Sequence, residues 1–296
     1  MRKLFLLIAL LAFPFQAKAE VNIFACEPEW AALAKEIGGD NVTVFSATRG
    51  TQDPHHISAK PSLLAGIRKA DMVFCTGAGL EAGWLPVLMQ SAGANLQPGQ
   101  PGYMMASDSV GLMGKPKSVD RSMGDIHPEG NPHIQTDPRN MVSVARSFSD
   151  RLIQIDPANA TSYKSRLLSF ESMWGALIGN WTESARSLKG KAVITYHESW
   201  MYLLNWLGMK QVTTLEVKPG IPPTASHLET VLQSAKANNV NMILLSPFDN
   251  DQAAEWLSEK SGARIVRLPF TVGGSAKAND LKSLYDETIN LLKATP

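Results

Sequence analysis

Short apolar runs along this chain alternate with stretches whose apolar residues recur every three or four positions. The first half opens with an apolar run at 21–26, a helical pattern at 30–37, a Gly-Gly-Asp turn, and further runs at 42–45 and 72–75. Strands alternating with helices at this spacing predict a parallel sheet with helices on its faces. From 97 to 137 the pattern stops, and Gly, Pro, Asp and Ser dominate. A stretch this long without regular structure is a candidate functional or mobile segment. Two helical patterns follow, one carried by Met141, Val144, Ala145, Phe148, Leu152 and Ile155, the other by Tyr163, Leu167, Phe170, Trp174, Leu177 and Trp181. Asp156 and Pro157 separate them and read as the N-cap and first helical position of the second. That helix is predicted over 157–188, about 45 Å at 1.5 Å per residue, with its aromatic stripe packed into a core. The last third returns to alternation, with strands at 192–196, 211–215, 242–245 and 264–268 and helices at 199–207, 225–237, 252–260 and 280–292.

The expected fold class is therefore α/β: two lobes, each with a mainly parallel sheet flanked by helices, joined by one long rigid linker helix. The boundaries read as 20–156 for the N-terminal lobe, 157–188 for the linker and 189–296 for the C-terminal lobe. Residues 1–19 read as a signal peptide, since Arg2 and Lys3 precede an apolar run at 4–15 and Ala17-Lys18-Ala19 supplies the small residues of a cleavage site. The run is too short to span a bilayer, and no cysteine stands at the cleavage point, so a soluble periplasmic chain is expected rather than a lipoprotein. Of 28 basic residues, Arg2, Lys3 and Lys18 leave with the signal, so 25 face 27 acidic ones, a formal charge of −2. That balance argues against nucleic acid or an anionic membrane as partner. Two cysteines do not make a disulfide scaffold. Cys26 and Cys75 each end an apolar run; a bridge is permitted in this compartment, while buried free thiols are the favoured reading.

Three of the six histidines stand in loop contexts at the ends of expected elements: His55 in Asp53-Pro54-His55-His56, His133 in Asn131-Pro132-His133, and His197 directly after the run 193–196. Ligands of open α/β sheets bind at strand ends. The prolines stiffen the backbone ahead of two of these histidines, and three imidazoles suit zinc with a fourth position open or filled by oxygen. No compact zinc motif such as His-Glu-x-x-His is present.

Asp53-Pro54-His55 with Lys60-Pro61-Ser62, Ala70-Asp71 with Gly77-x-Gly79-Leu80-Glu81-x-x-Trp84-Leu85, Asn131-Pro132-His133 with Asp137-Pro138, Tyr196-His197, and 218–223 (Lys-Pro-Gly-Ile-Pro-Pro) occur in this order. The ordered set resembles the zinc/manganese-binding class of ABC-transporter solute-binding proteins, on the zinc-receptor branch, across the whole mature chain. The resemblance implies a metal clamped between two lobes, with His55 and His133 as ligands from the first and His197 from the second. It implies Zn2+ as a transported ligand rather than a catalytic cofactor, no enzymatic activity, and docking of a monomer on the membrane permease of an ABC transporter, with a periplasmic metallochaperone as a further partner for loading.

The family's acidic fourth ligand does not transfer, because Ser246-Pro247 and Leu268-Pro269-Phe270 stand where it would be. Water is the default fourth ligand, with Glu198, Asp249, Asp251 and His127 as protein candidates and a helix cap as the favoured role of Asp249. Residues 100–130 are expected to form a lid or a docking surface. Zinc is preferred to manganese, which takes more oxygen. A zinc hydrolase with Glu198 as base is the principal rival, and a receptor for an organic solute the third reading. His56 and His227 are read as structural or solvated.

Overall fold

The computed structural model describes residues 20–118 and 124–294. The expected signal peptide and residues 119–123 of the expected lid lie outside the described residues. Two parallel four-stranded sheets repeat one topology. β1 (Val21–Ala25), β2 (Val42–Ser46), β3 (Met72–Cys75) and β4 (Tyr103–Met105) are ordered β2-β1-β3-β4; β5 (Ala192–Thr195), β6 (Lys210–Thr214), β7 (Met242–Leu245) and β8 (Arg264–Arg267) are ordered β6-β5-β7-β8. The strand order reverses beside β1 and beside β5, which opens a crevice at the carboxyl ends of each sheet. β3 and β7 are buried at every position, as apolar runs covered on both faces should be.

Helices α1 (Pro28–Gly38), α2 (Pro61–Lys69), α3 (Leu85–Met89) and α4 (Pro138–Ile155) belong to the first lobe, and α6 (Met201–Leu207), α7 (Ala225–Ala237), α8 (Asp251–Ser261) and α9 (Leu281–Lys293) to the second. Between them runs α5 (Ala160–Ser184), about 38 Å at 1.5 Å per residue. It is shorter than expected because 3-10 turns at Pro157–Asn159 and Arg186–Leu188 bound it. Asp156 therefore does not cap α5; its carboxylate instead accepts from Asn159 Nδ2 at 2.5 Å and from Tyr163 Oη at 2.7 Å.

The aromatic stripe of α5 packs as expected: Tyr163, Phe170, Trp174 and Trp181 lie in one core cluster with residues of α1, α4, α6, β5 and α9. This cluster runs continuously from one lobe to the other. Two smaller clusters cover the outer faces of the sheets, one involving α2 and α3, the other α7 and α8. The segment expected to be featureless contains β4, a three-residue edge strand that closes the first sheet.

Cys26 and Cys75 form a disulfide, which overturns the free-thiol reading. The cause is register: β1 and β3 pair Ala25 with Phe74, so the next residues emerge side by side from adjacent parallel strands. Next to the bridge lie three buried glutamates. Glu27 and Glu81 both accept from the Thr76 backbone N–H, at 3.2 and 2.7 Å, and Glu29 accepts from the Thr271 hydroxyl of the other lobe. Burial pushes Glu29 and Glu81 up to about 7, and burial together with the charges of Glu81 and Glu29 holds Glu27 well above the ordinary carboxylate range.

In the unfolded chain these groups release their protons near pH 4.3, so the folded state holds more protons from there to about pH 7 and beyond. Their contribution to stability is complete below pH 4.3 and is lost as the pH rises through the folded values. The metal-free protein is expected to unfold at lower urea concentration at pH 8 than at pH 6.5; an equal or higher midpoint at pH 8 would contradict the assignment.

Candidate metal centre

Two of the expected ligands are presented by the same local device. In Asp53-Pro54-His55 the Asp53 Oδ1 accepts the His55 backbone N–H at 3.0 Å, and in Asn131-Pro132-His133 the Asn131 Oδ1 accepts the His133 N–H at 3.0 Å. Each is an Asx turn, in which a short polar side chain mimics a backbone turn two residues on, with the intervening proline fixing φ. The first turn is further held by the Trp84 indole, which donates to the Pro54 carbonyl at 2.8 Å. Asn131 is tied to the second lobe, its Nδ2 donating to the Glu198 carbonyl at 2.8 Å and its carbonyl accepting from the Tyr202 hydroxyl at 2.7 Å. His197 emerges two residues after β5, at the carboxyl end of the sheet where its order reverses.

The three histidines converge, and a fourth joins them. His55, His127, His133 and His197 each offer a ring nitrogen, and these nitrogens all lie within 4.8 Å of one another. The Nε2 atoms of His55 and His127 are 3.3 Å apart, which matches the separation of about 3.3 Å between two nitrogens on a tetrahedral zinc at about 2.0–2.1 Å. His127 thus stands beside the three expected residues, at the position that sequence analysis left to water by default. It arrives on residues 124–130, which cross to the second lobe: Asp125 N–H donates to the Pro219 carbonyl at 2.9 Å. Gly124 and Gly220, both at positive φ, make this crossing possible, because a Cβ would collide with the Pro219 carbonyl oxygen at the first and with the Asp125 carboxylate at the second.

The other protein candidates for the fourth ligand do not belong to the cluster. Glu198 and Asp251 lie outside the cluster, Asp251 being paired with Arg267. Asp249 accepts the Ser246 N–H at 2.6 Å, and the N-cap of α8 is Asn250, so the helix-cap reading of Asp249 does not hold. His56 is 64% exposed, and His227 is hydrogen-bonded to the Thr214 carbonyl at 3.1 Å.

The outward ring nitrogens are held in turn. His55 Nδ1 lies 2.7 Å from Asp53 Oδ1 and His197 Nδ1 lies 2.7 Å from Glu216 Oε2, while the backbone at Gly79 packs against His127 Nδ1. Metal-binding imidazoles are commonly oriented by such partners, which fix the tautomer and raise the basicity of the ligating nitrogen. Glu216 was not singled out in the sequence, although its place just after β6, next to β5 in the sheet, is the signal that could have found it. His133 differs: it is fully buried, and neither ring nitrogen has a hydrogen-bond partner.

Burial, reinforced by the neighbouring His55 and His197, pulls the His127 pKa down to about 3, and the same causes hold His133 well below its ordinary value. Burial also disfavours charge on His197, but Glu216 outweighs it and raises the pKa. Burial pushes Asp53 up, but its contacts with His55 prevail and lower it. Two of the four rings are thus neutral and ready to ligate. A cavity of about 120 Å³ reaches His55 and His197, and Asp53, Asp125, Glu216 and Asp249 line it, giving a cation an electrostatically favourable approach.

A family model described as zinc-uptake complex component A, periplasmic (ZnuA), matches residues 23–294. The chain is 24% identical over 252 residues to the high-affinity zinc uptake system protein ZnuA of Bacillus subtilis, covering 84% of this chain and 77% of that protein. It is 22% identical over 274 residues to the manganese ABC transporter substrate-binding lipoprotein of Streptococcus gordonii, covering 91% and 86%. A crystal structure of ZnuA superposes with a TM-score of 0.75 over 93% of this chain and 99% of that one at 22% identity, which bears on the fold. The chain belongs to the ZnuA family of extracytoplasmic substrate-binding proteins of metal ABC transporters, which are solute-binding proteins and not enzymes.

Proposed function

We propose that this chain is a periplasmic zinc receptor that holds one zinc ion on His55, His127, His133 and His197 and delivers it, as a monomer, to the permease of an ABC uptake transporter. The observation that carries the reading is the buried His133 ring, unpartnered on both nitrogens and facing three other imidazoles. A buried polar group left unsatisfied costs about 1–3 kcal/mol, and a cation at the centre of the cluster relieves that cost.

The donor set favours zinc over manganese. Every ligand atom is an imidazole nitrogen, and the carboxylates bonded to these rings, Asp53 and Glu216, are engaged with the outward nitrogens. Imidazole suits zinc, copper and nickel, whereas manganese prefers carboxylate, carbonyl and water. Among the relatives, the Bacillus protein is named for zinc and the Streptococcus protein for manganese; the four imidazoles support the former. A fourth protein ligand also weighs against the hydrolase reading, because catalytic zinc keeps one position for water.

After chelator stripping, the mature chain is expected to take up one zinc per molecule, and His133→Ala to weaken binding by more than the about 100-fold that loss of an outer hydrogen-bond partner costs; unchanged affinity in the variant would sink the proposal. In competition titrations manganese in large excess is expected to leave bound zinc in place. Ready displacement by manganese would move the chain to the manganese receptors.

A further inference from the structure

The geometry points to Glu81 as a positioning residue for the fourth ligand: its buried carboxylate folds the turn at 77–79 that orients the His127 ring. This inference rests on the four-imidazole reading and assigns a task to a residue that touches no metal.

The turn follows β3 directly and has an uncommon backbone. Gly77, Ala78 and Gly79 lie in succession at φ of +79°, +51° and +84°. Left-handed residues occur singly as a rule, and a non-glycine residue such as Ala78 enters that region only when its surroundings hold it there. Glu81 supplies the hold. Its Oε1 accepts the N–H of Thr76 at 2.7 Å and of Gly77 at 3.2 Å, and its Oε2 accepts the Gly77 N–H at 3.1 Å. The carboxylate thus fastens the entry to the turn, and the Leu80 N–H closes it on the Gly77 carbonyl at 3.1 Å.

The residues beneath the turn are closely held. Thr76 Oγ1 is fixed by Trp30 Nε1 at 2.7 Å and by Glu27 at 3.0 Å. Gly77 is packed so closely on Met105 and Ser107 that a side chain there would meet Met105 Cβ at 2.8 Å and Ser107 Oγ at 2.6 Å. The outer side of the turn faces the ligand: a Cβ on Gly79 would lie 3.4 Å from His127 Nδ1. A continuous path therefore runs from the Glu81 carboxylate through the backbone of residues 77–79 to the imidazole that packs against Gly79. The same residues could instead serve the lobe's core alone, and the two roles differ in one respect: a positioning residue acts on the metal only while His127 is present.

The test is a double-mutant cycle on the full mature chain, read by zinc affinity against a competing chelator and by the visible spectrum of the cobalt-substituted protein. Glu81→Gln keeps the volume of the side chain, and Gly79→Ala perturbs the turn from its exposed outer face. Each is expected to raise the zinc Kd about 10-fold and to shift the cobalt spectrum toward that of His127→Ala. In the His127→Ala background neither is expected to weaken binding further. An equal loss in that background, or a wild-type Kd in both turn variants, would overturn the inference while leaving the four-imidazole site intact. If His127→Ala itself binds zinc like the wild type, the four-imidazole reading falls and the inference falls with it.

Discussion

A fully buried imidazole with no hydrogen-bond partner on either nitrogen is the constraint around which this structure is organised. His133 would be a liability in an ordinary core, since its ring gives up water and gains nothing in return. The surroundings keep it neutral by burial and by the proximity of His55 and His197, so that its lone pair stays available. Two of the other three rings are turned toward the same point by a separate partner, His55 by the Asp53 carboxylate and His197 by the Glu216 carboxylate, and His127 packs against the turn at Gly79. The centre is thus built as a set of donors oriented before the cation arrives, which lowers the ordering that binding must impose.

The lobes that carry these donors are not independent bodies meeting only at the metal. One apolar cluster continues from α1 and α4 through the aromatic face of α5 to β5, α6 and α9. Around the site, polar contacts add to it, from Glu29 to Thr271 and from Asn131 to Glu198 and Tyr202. Such a core holds the strand ends of the two sheets at a fixed separation, whereas His127 reaches the site on residues 124–130, which cross to the second lobe through Asp125 and the Pro219 carbonyl.

Much of this was legible in the sequence. The periodic stretches located β3, α7 and β7 at their observed ends, and the ordered motifs gave His55, His133 and His197, which the structure brings together. What escaped was information that local pattern does not carry. β4 is three residues long, too short for any period to show. The disulfide depended on the register of β1 against β3, which pairing fixes and composition does not. His127 was one candidate among several because its segment has no periodicity, and its place follows from two glycine crossings visible only in three dimensions. Glu216 lies 19 residues from the ring it orients, on a neighbouring strand end.

X-ray absorption at the zinc edge of the loaded mature protein reads the composition of the ligand shell most directly. Four nitrogen scatterers at about 2.0–2.1 Å, with multiple scattering from four imidazole rings, is the result expected. A shell of three imidazoles completed by a water or carboxylate oxygen would contradict it and would return His127 to the surface of the molecule.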